Sequence, residues 1–296
     1  MTSIHRSLAS TTRSSAILWF LQKYGFSSAE IGIRSLAQRL IKLYGDQTPP
    51  FNPRVIAREL KVYKISFGSI GKDALLIPTD NGFRIKISSE LPKSRQRFAL
   101  AHEIGHTLFF NTDGPCPFRP YSTDKASVYE ERLCDIFAGE ILVPEHSLRR
   151  HLQHTSEANV ETLLNTARVF NISAQCLAIR IANLKLWDAA VVNWAPDDVE
   201  TVPIPPIGIA PKLRVRWDAA PKGHFIPKSD SAKPSSAVYL CYLKGTQLET
   251  DENLSLGSVR GMRRVSCIRV PDAFNQGDYT VLSLINLSPS CHDSKQ

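Results

Sequence analysis

Residues 94–110 read Ser94-Arg95-Gln96-Arg97-Phe98-Ala99-Leu100-Ala101-His102-Glu103-Ile104-Gly105-His106-Thr107-Leu108-Phe109-Phe110. The run contains no proline, starts on a serine that can cap a helix and carries apolar residues on both sides of a His-Glu-x-x-His core. It predicts a helix from Ser94 to Phe109. Residues i and i+4 of a helix share a face one turn apart, so His102 and His106 project side by side, at the separation that two ligands of one tetrahedral Zn²⁺ require. Glu103 projects beside them and is free to take a proton from a metal-activated water. Two imidazoles and a carboxylate in a helix this apolar are costly to bury without a partner, and a cation is the natural one.

A catalytic zinc takes three protein ligands and leaves the fourth position to water. No third histidine followed by a glycine pattern occurs within the next dozen residues, which excludes a metzincin. The next helix, predicted over Tyr129 to Val143 and stopped by Pro144, carries Glu131 and Asp135 at i and i+4 on one face. Glu131 is the expected third ligand, with Asp135 accepting the Nδ1–H of a ligand histidine and so fixing its tautomer. Glu130 competes for the ligand role, but it points about 100° away from Glu131 and its i+4 neighbour is Cys134, which offers no equivalent acceptor. This is a gluzincin arrangement.

Working outward, apolar positions at helical spacing predict a helix over Ala29 to Leu43 and another over Pro53 to Leu60, with Asn52 as N-cap and Pro53 in its first position. Three strand-like runs follow: Val62 to Ile65, Ala74 to Ile77, and Phe83 to Ile87, whose strict alternation marks a half-solvated strand. They predict a small sheet with the His-Glu-x-x-His helix packed across it. Helices are expected from Glu145 to about His154 and over Val160 to Leu184. The latter resembles a helix-turn-helix, with Asn171-Ile172-Ser173 as the turn, but Arg180 is its second helix's only cation before Lys185, which is thin for phosphate contacts.

Beyond Trp187 the pattern changes. Eight of the 19 prolines lie between Pro196 and Pro234, and strand-like runs at Leu213–Trp217, Ala237–Leu243, Val265–Val270 and Tyr279–Ile285 predict a β-rich part. The expected organisation is a basic extension at 1–27 and a metallopeptidase domain at 28–188 that includes the helical segment 158–186. A Pro-rich linker or irregular region at 189–235 and a β-rich accessory domain at 236–290, which could begin near 189, complete it. The fold class is therefore α+β: a zincin-like peptidase domain, a helical segment and a β-rich C-terminal domain.

With 43% hydrophobic and 22% charged residues, the 296-residue chain is neither disordered nor fibrous. Its net charge of +8 comes mostly from the first 190 residues, with 24 basic against 17 acidic side chains, compared with 12 against 11 beyond. That excess allows a weak attraction to DNA and is too dilute for a basic arm. The apolar run at Ala16–Leu21 is too short for a secretory signal, and its setting suits an amphipathic N-terminal helix. Nothing reaches the roughly 18 apolar residues of a membrane span. Six scattered cysteines with no CxxC pair fit free, packed thiols in a reducing cytoplasm.

Two stretches resemble the ImmA/IrrE family of zinc metallopeptidases. Arg97-Phe98-Ala99-Leu100-Ala101-His102-Glu103-Ile104-Gly105-His106 is similar to the family's RFxLAHExGH helix. Glu131-Arg132-Leu133-Cys134-Asp135-Ile136-Phe137-Ala138-Gly139-Glu140-Ile141-Leu142-Val143-Pro144 is similar to its second motif, with Asp135 where Asn is common and Val143 where Met is. The resemblance covers about residues 50 to 185. It implies a Zn²⁺-dependent endopeptidase that cuts a helix-turn-helix repressor to relieve repression, with His102, His106 and Glu131 on the metal and Glu103 as general base.

On that reading a substrate peptide would lie along an edge strand, for which Phe83 to Ile87 is the candidate, and an oxyanion donor would come from Tyr121, Tyr129, His146, His151 or His154. The other class of function is a regulatory protein that binds a partner or DNA on a zincin scaffold without proteolysis. Glu103 argues against it, because a structural zinc site has no use for that carboxylate.

Overall fold

The computed structural model describes residues 15–114, 116–119, 128–153, 157–197, 211–272 and 278–289. The chain divides into two compact units, one of residues 1–150 with 169–173, the other of 151–168 with 174–296.

The first unit is built on helices α1 (Ser15–Tyr24), α2 (Ala29–Tyr44) and α3 (Pro53–Glu59) and strands β1 (Val62–Gly68), β2 (Ala74–Thr79) and β3 (Gly82–Ser88). Helices α4 (Lys93–His106) and α5 (Val128–Leu142) follow, α4 being extended by a 3₁₀ turn, Thr107–Phe109. The amphipathic N-terminal helix is α1: Ile17 and Phe20 are buried, and the Phe20 ring lies 5.3 Å from that of Phe109. Asn52 caps α3 as its sequence predicts, its side chain accepting from the Arg54 N–H. The start of α4 differs from expectation. Pro92 occupies the N-cap position with φ −54°, and Ser94 falls within the first turn. Proline's fixed φ suits a helix entry, and the Gln96 N–H is satisfied by the Pro92 carbonyl at 2.9 Å.

Sheet order is β1-β3-β2, with β1 parallel and β2 antiparallel to β3. This corrects the assignment of Phe83–Ile87 as an edge: β3 is the central strand, with Phe83, Ile85 and Ile87 buried beneath the helices. Its alternation reflects a sheet with one wet face, which a central strand shows as readily as an edge strand does. The edge beside α4 is β2, whose Pro78 cannot donate to a ladder and so suits an edge position.

Helix α5 packs on α4 and α2. Its Leu133, Phe137, Ala138 and Ile141 are buried, each large apolar side chain contributing about 1.5–3 kcal/mol. A buried carboxylate, Glu140, accepts from Arg34 of α2 at 2.5 Å and fixes the register of that contact. Gly105 lets α4 approach closely: a Cβ there would stand 3.2 Å from the Cys134 Cα and 3.3 Å from the Phe137 ring.

After α6 (Glu145–Gln153) come α7 (Val160–Phe170) and α8 (Ala174–Leu184), joined at Asn171, which adopts a left-handed φ of 53°. The two helices and their turn match the sequence expectation. Arg180 is only 4% exposed, however, so the one cation of α8 is not presented to a phosphate backbone.

The second unit holds a five-stranded antiparallel sheet of order β5-β4-β8-β7-β6, formed by β4 (Ala189–Pro196), β5 (Leu213–Ala219), β6 (Leu248–Leu256), β7 (Val259–Pro271) and β8 (Tyr279–Asn286). The sheet begins at residue 189, the earlier of the two starts that the sequence allows for the β-rich part. Trp194, Val192, Val265, Val281 and Ile285 form its core with α9 (Ala237–Lys244). Segment Ala237–Leu243, expected as a strand, is thus helical. Ser236 caps it by accepting from the Tyr239 N–H, and Gly245 closes it in the left-handed region, φ 71°. Those two ends override the strand preference of Val238, Tyr239 and Tyr242.

Candidate metal centre

Two helices bring the functional side chains together. His102 and His106 sit one turn apart on the last turns of α4, and Glu131 and Asp135 one turn apart on α5. The Nε2 atoms of the two imidazoles are 3.1 Å apart. Glu131 Oε2 lies 3.0 Å from Nε2 of His102 and 3.5 Å from Nε2 of His106. Three potential donors thus face one point.

The far side of each ring is held by a carboxylate. His102 Nδ1 is 2.9 Å from Asp135 Oδ1, the pairing expected from the sequence. His106 Nδ1 is 3.1 Å from Glu130 Oε1, a contact the sequence reading missed because it treated Glu130 only as a rival ligand. Glu130 is fully buried and also accepts from Arg119 in a short ion pair. With both Nδ1 positions turned to carboxylates, both Nε2 lone pairs are available to a cation, and the donor set of two imidazoles and a carboxylate fits Zn²⁺.

Cys134 offers another donor. His102, His106 and Cys134 form a group whose ligand atoms lie within 4.8 Å of one another, so these three could also hold a metal. The Cys134 thiol is buried beneath Gly105, and burial pushes it up from its ordinary value. Glu131, in contrast, is held well below the usual carboxylate range by its hydrogen bonds to His102 and His106. Both Glu131 and Cys134 therefore stand within reach of the two imidazoles.

Electrostatics of the metal-free cluster follow from these contacts. Burial pulls the His102 imidazole down, but hydrogen bonds to Asp135 and Glu131 outweigh it and raise the group to about 9. His106 is raised in the same way, burial being outweighed by Cys134, Glu130 and Glu131. Glu103 is raised above the ordinary carboxyl value, chiefly by burial, and its carboxylate accepts from the Leu76 backbone on β2. A carboxyl shifted toward neutrality is suited to taking up a proton at physiological pH.

Residues 57–182 match the peptidase family M78, described as the IrrE N-terminal-like domain. Over this stretch, a little over two fifths of its length, the chain is similar to that domain. The match runs from α3 into α8 and includes both motif helices, in agreement with the ImmA/IrrE resemblance of the sequence. The family is one of metal-dependent peptidases. Among solved structures, a Mycobacterium tuberculosis transcriptional regulator is similar in fold, with a TM-score of 0.50 and 11% identity over 90% of this chain and 91% of that one. No curated protein matches the chain.

Of the five oxyanion candidates, Tyr121 and His154 lie outside the described residues. Tyr129 stands in the first turn of α5 beside Glu130, His146 is exposed on α6, and His151 belongs to the second unit. No helix among the described residues is long and apolar enough to cross a membrane.

Proposed function

We propose that this chain is a zinc-dependent endopeptidase in which His102, His106 and Glu131 hold the metal, Asp135 orients His102 and Glu103 is the general base. The observation that carries this reading is the convergence of the two Nε2 atoms and Glu131 Oε2 on one point. Bound there, Zn²⁺ supplies Lewis acidity to a scissile carbonyl and lowers the pKa of a bound water toward about 7. Glu103, oriented by Leu76, takes the proton of the attacking water and passes it to the departing amine. The free edge of β2, which already reaches Glu103 through Leu76, is the surface along which an extended substrate adds as a further strand.

The proposed substrate is a helix-turn-helix transcriptional repressor, cut in the cytoplasm to relieve repression. Support comes from the ImmA/IrrE resemblance, and the free described thiols fit a reducing compartment. The net charge of +8 favours encounter with a repressor on DNA without making DNA the substrate.

The test is zinc content by mass spectrometry together with cleavage of the repressor encoded beside this gene. Stoichiometric zinc with cleavage that Glu103→Gln abolishes supports the reading. Zinc with no cleavage, and a Glu103→Gln chain that behaves as wild type in cells, would favour a regulatory protein that binds its partner on a zincin scaffold.

A further inference from the structure

We infer that Glu130 and Arg119 are a positioning pair that holds the His106 ring in its metal-binding orientation, an inference that rests on the zinc reading above. The two imidazoles are supported unequally. Asp135, behind His102, has a side chain 57% exposed, so water competes for its oxygens. Glu130, behind His106, is 0% exposed, and water cannot satisfy it. One of its oxygens is placed on Nδ1 of His106 at 3.1 Å and the other on Arg119.

A buried carboxylate with both oxygens so placed has little freedom, and neither does the ring it holds. With Nδ1–H donating to Glu130, the His106 lone pair is on Nε2, facing His102 and Glu131. Arg119 is itself mostly buried, its guanidinium 5.5 Å from the Phe110 ring centroid. It follows directly on the bridge between Asn111 and Phe118, whose backbones exchange hydrogen bonds of 2.8 and 3.1 Å. That bridge, just before Arg119, places the counter-charge beside Glu130. Sequence hides this role, since Glu130 reads as one more acid in a helical first turn and Arg119 lies in a Pro-rich loop.

The test uses the full chain and measures zinc affinity by competition with a chromophoric chelator. Replacing the whole pair, Arg119→Met with Glu130→Leu, removes both charges and keeps apolar volume, so no lone buried charge is left to unfold the protein. This variant is expected to fold, by far-UV circular dichroism, and to bind zinc ten- to a hundredfold more weakly. Arg119→Met with Glu130→Gln restores an acceptor for Nδ1–H and is expected to recover most of the loss. In the same series, ¹⁵N spectra of the histidines of the zinc-loaded chain should show the hydrogen-bonded His106 Nδ1–H in wild type and the Gln variant and lose it in the Leu variant.

A folded Leu variant with wild-type affinity overturns the inference while leaving the zinc reading intact. A wild-type chain that binds no zinc overturns both. A Gln variant as weak as the Leu variant overturns the hydrogen-bond role.

Discussion

The Nε2 atoms of His102 and His106 face each other at 3.1 Å, and Glu131 Oε2 touches both. Three groups that compete for protons in the metal-free chain are the groups that would share a cation. Single replacement of His102 or His106 by Ala should therefore lower zinc affinity at least a hundredfold, and Glu131→Ala at least tenfold, measured by chelator competition. Cys134→Ala should change affinity less than threefold. The reverse ranking of Glu131 and Cys134 would transfer the third ligand to the thiol.

Glu103→Gln separates binding from chemistry. The carboxamide keeps the volume and can still accept from Leu76, but it cannot take a proton, so zinc content should stay stoichiometric while cleavage falls about 10²–10⁴-fold. Parallel metal analysis and single-turnover cleavage on the same preparation check this.

Stability of the chelated protein should fall as pH rises. His102 titrates near 9 when folded and near 6.5 when unfolded, so the stabilisation from its protonated form is complete below about pH 6.5 and lost through about pH 9. His106 is raised too and acts in the same direction. The loss from His102 alone is about 3 kcal/mol, at 1.36 kcal/mol per pKa unit. Urea unfolding with a chelator at pH 6, 7.5 and 9 reads it directly. Zinc affinity should move oppositely and rise over the same window, because the metal competes with those protons.

Gly105→Ala tests the packing that sets the distance between the two helices. A Cβ at 3.2 Å from Cys134 Cα has backbone to displace, and an expected cost is about 1–3 kcal/mol. Thermal unfolding measures the cost. Zinc affinity should drop along with stability, since α5 carries Glu131.

The parts of the molecule legible in sequence are those governed by local periodicity. The four-residue step from His102 to His106, and from Glu131 to Asp135, needs only helical geometry, and each helix formed close to its predicted limits. The order of a sheet, by contrast, is set by partners remote in sequence. Phe83–Ile87 reads the same whether one or two strands flank it, so its central place and the edge role of β2 emerge only in three dimensions. Residues Ala237–Leu243 misled for another reason: their aromatic and β-branched side chains favour a strand, while the decisive signals, Ser236 and Gly245, lie just outside the run. Glu130 was misjudged because charge is visible in a sequence and burial is not.

His102 and Glu131 are 29 positions apart, and the chain between them leaves α4, turns at Asn111–Phe118 and re-enters at α5. A cation shared by the two would act as a staple across that loop. Because such a cation binds the folded arrangement and not the open chain, it would stabilise the fold by mass action, by about 1.4 kcal/mol for each tenfold excess of free metal over Kd. The midpoint of thermal unfolding should consequently track the free metal concentration, falling toward that of the chelated chain as the metal is buffered away, while the buried face of α5 keeps it on α4 and α2.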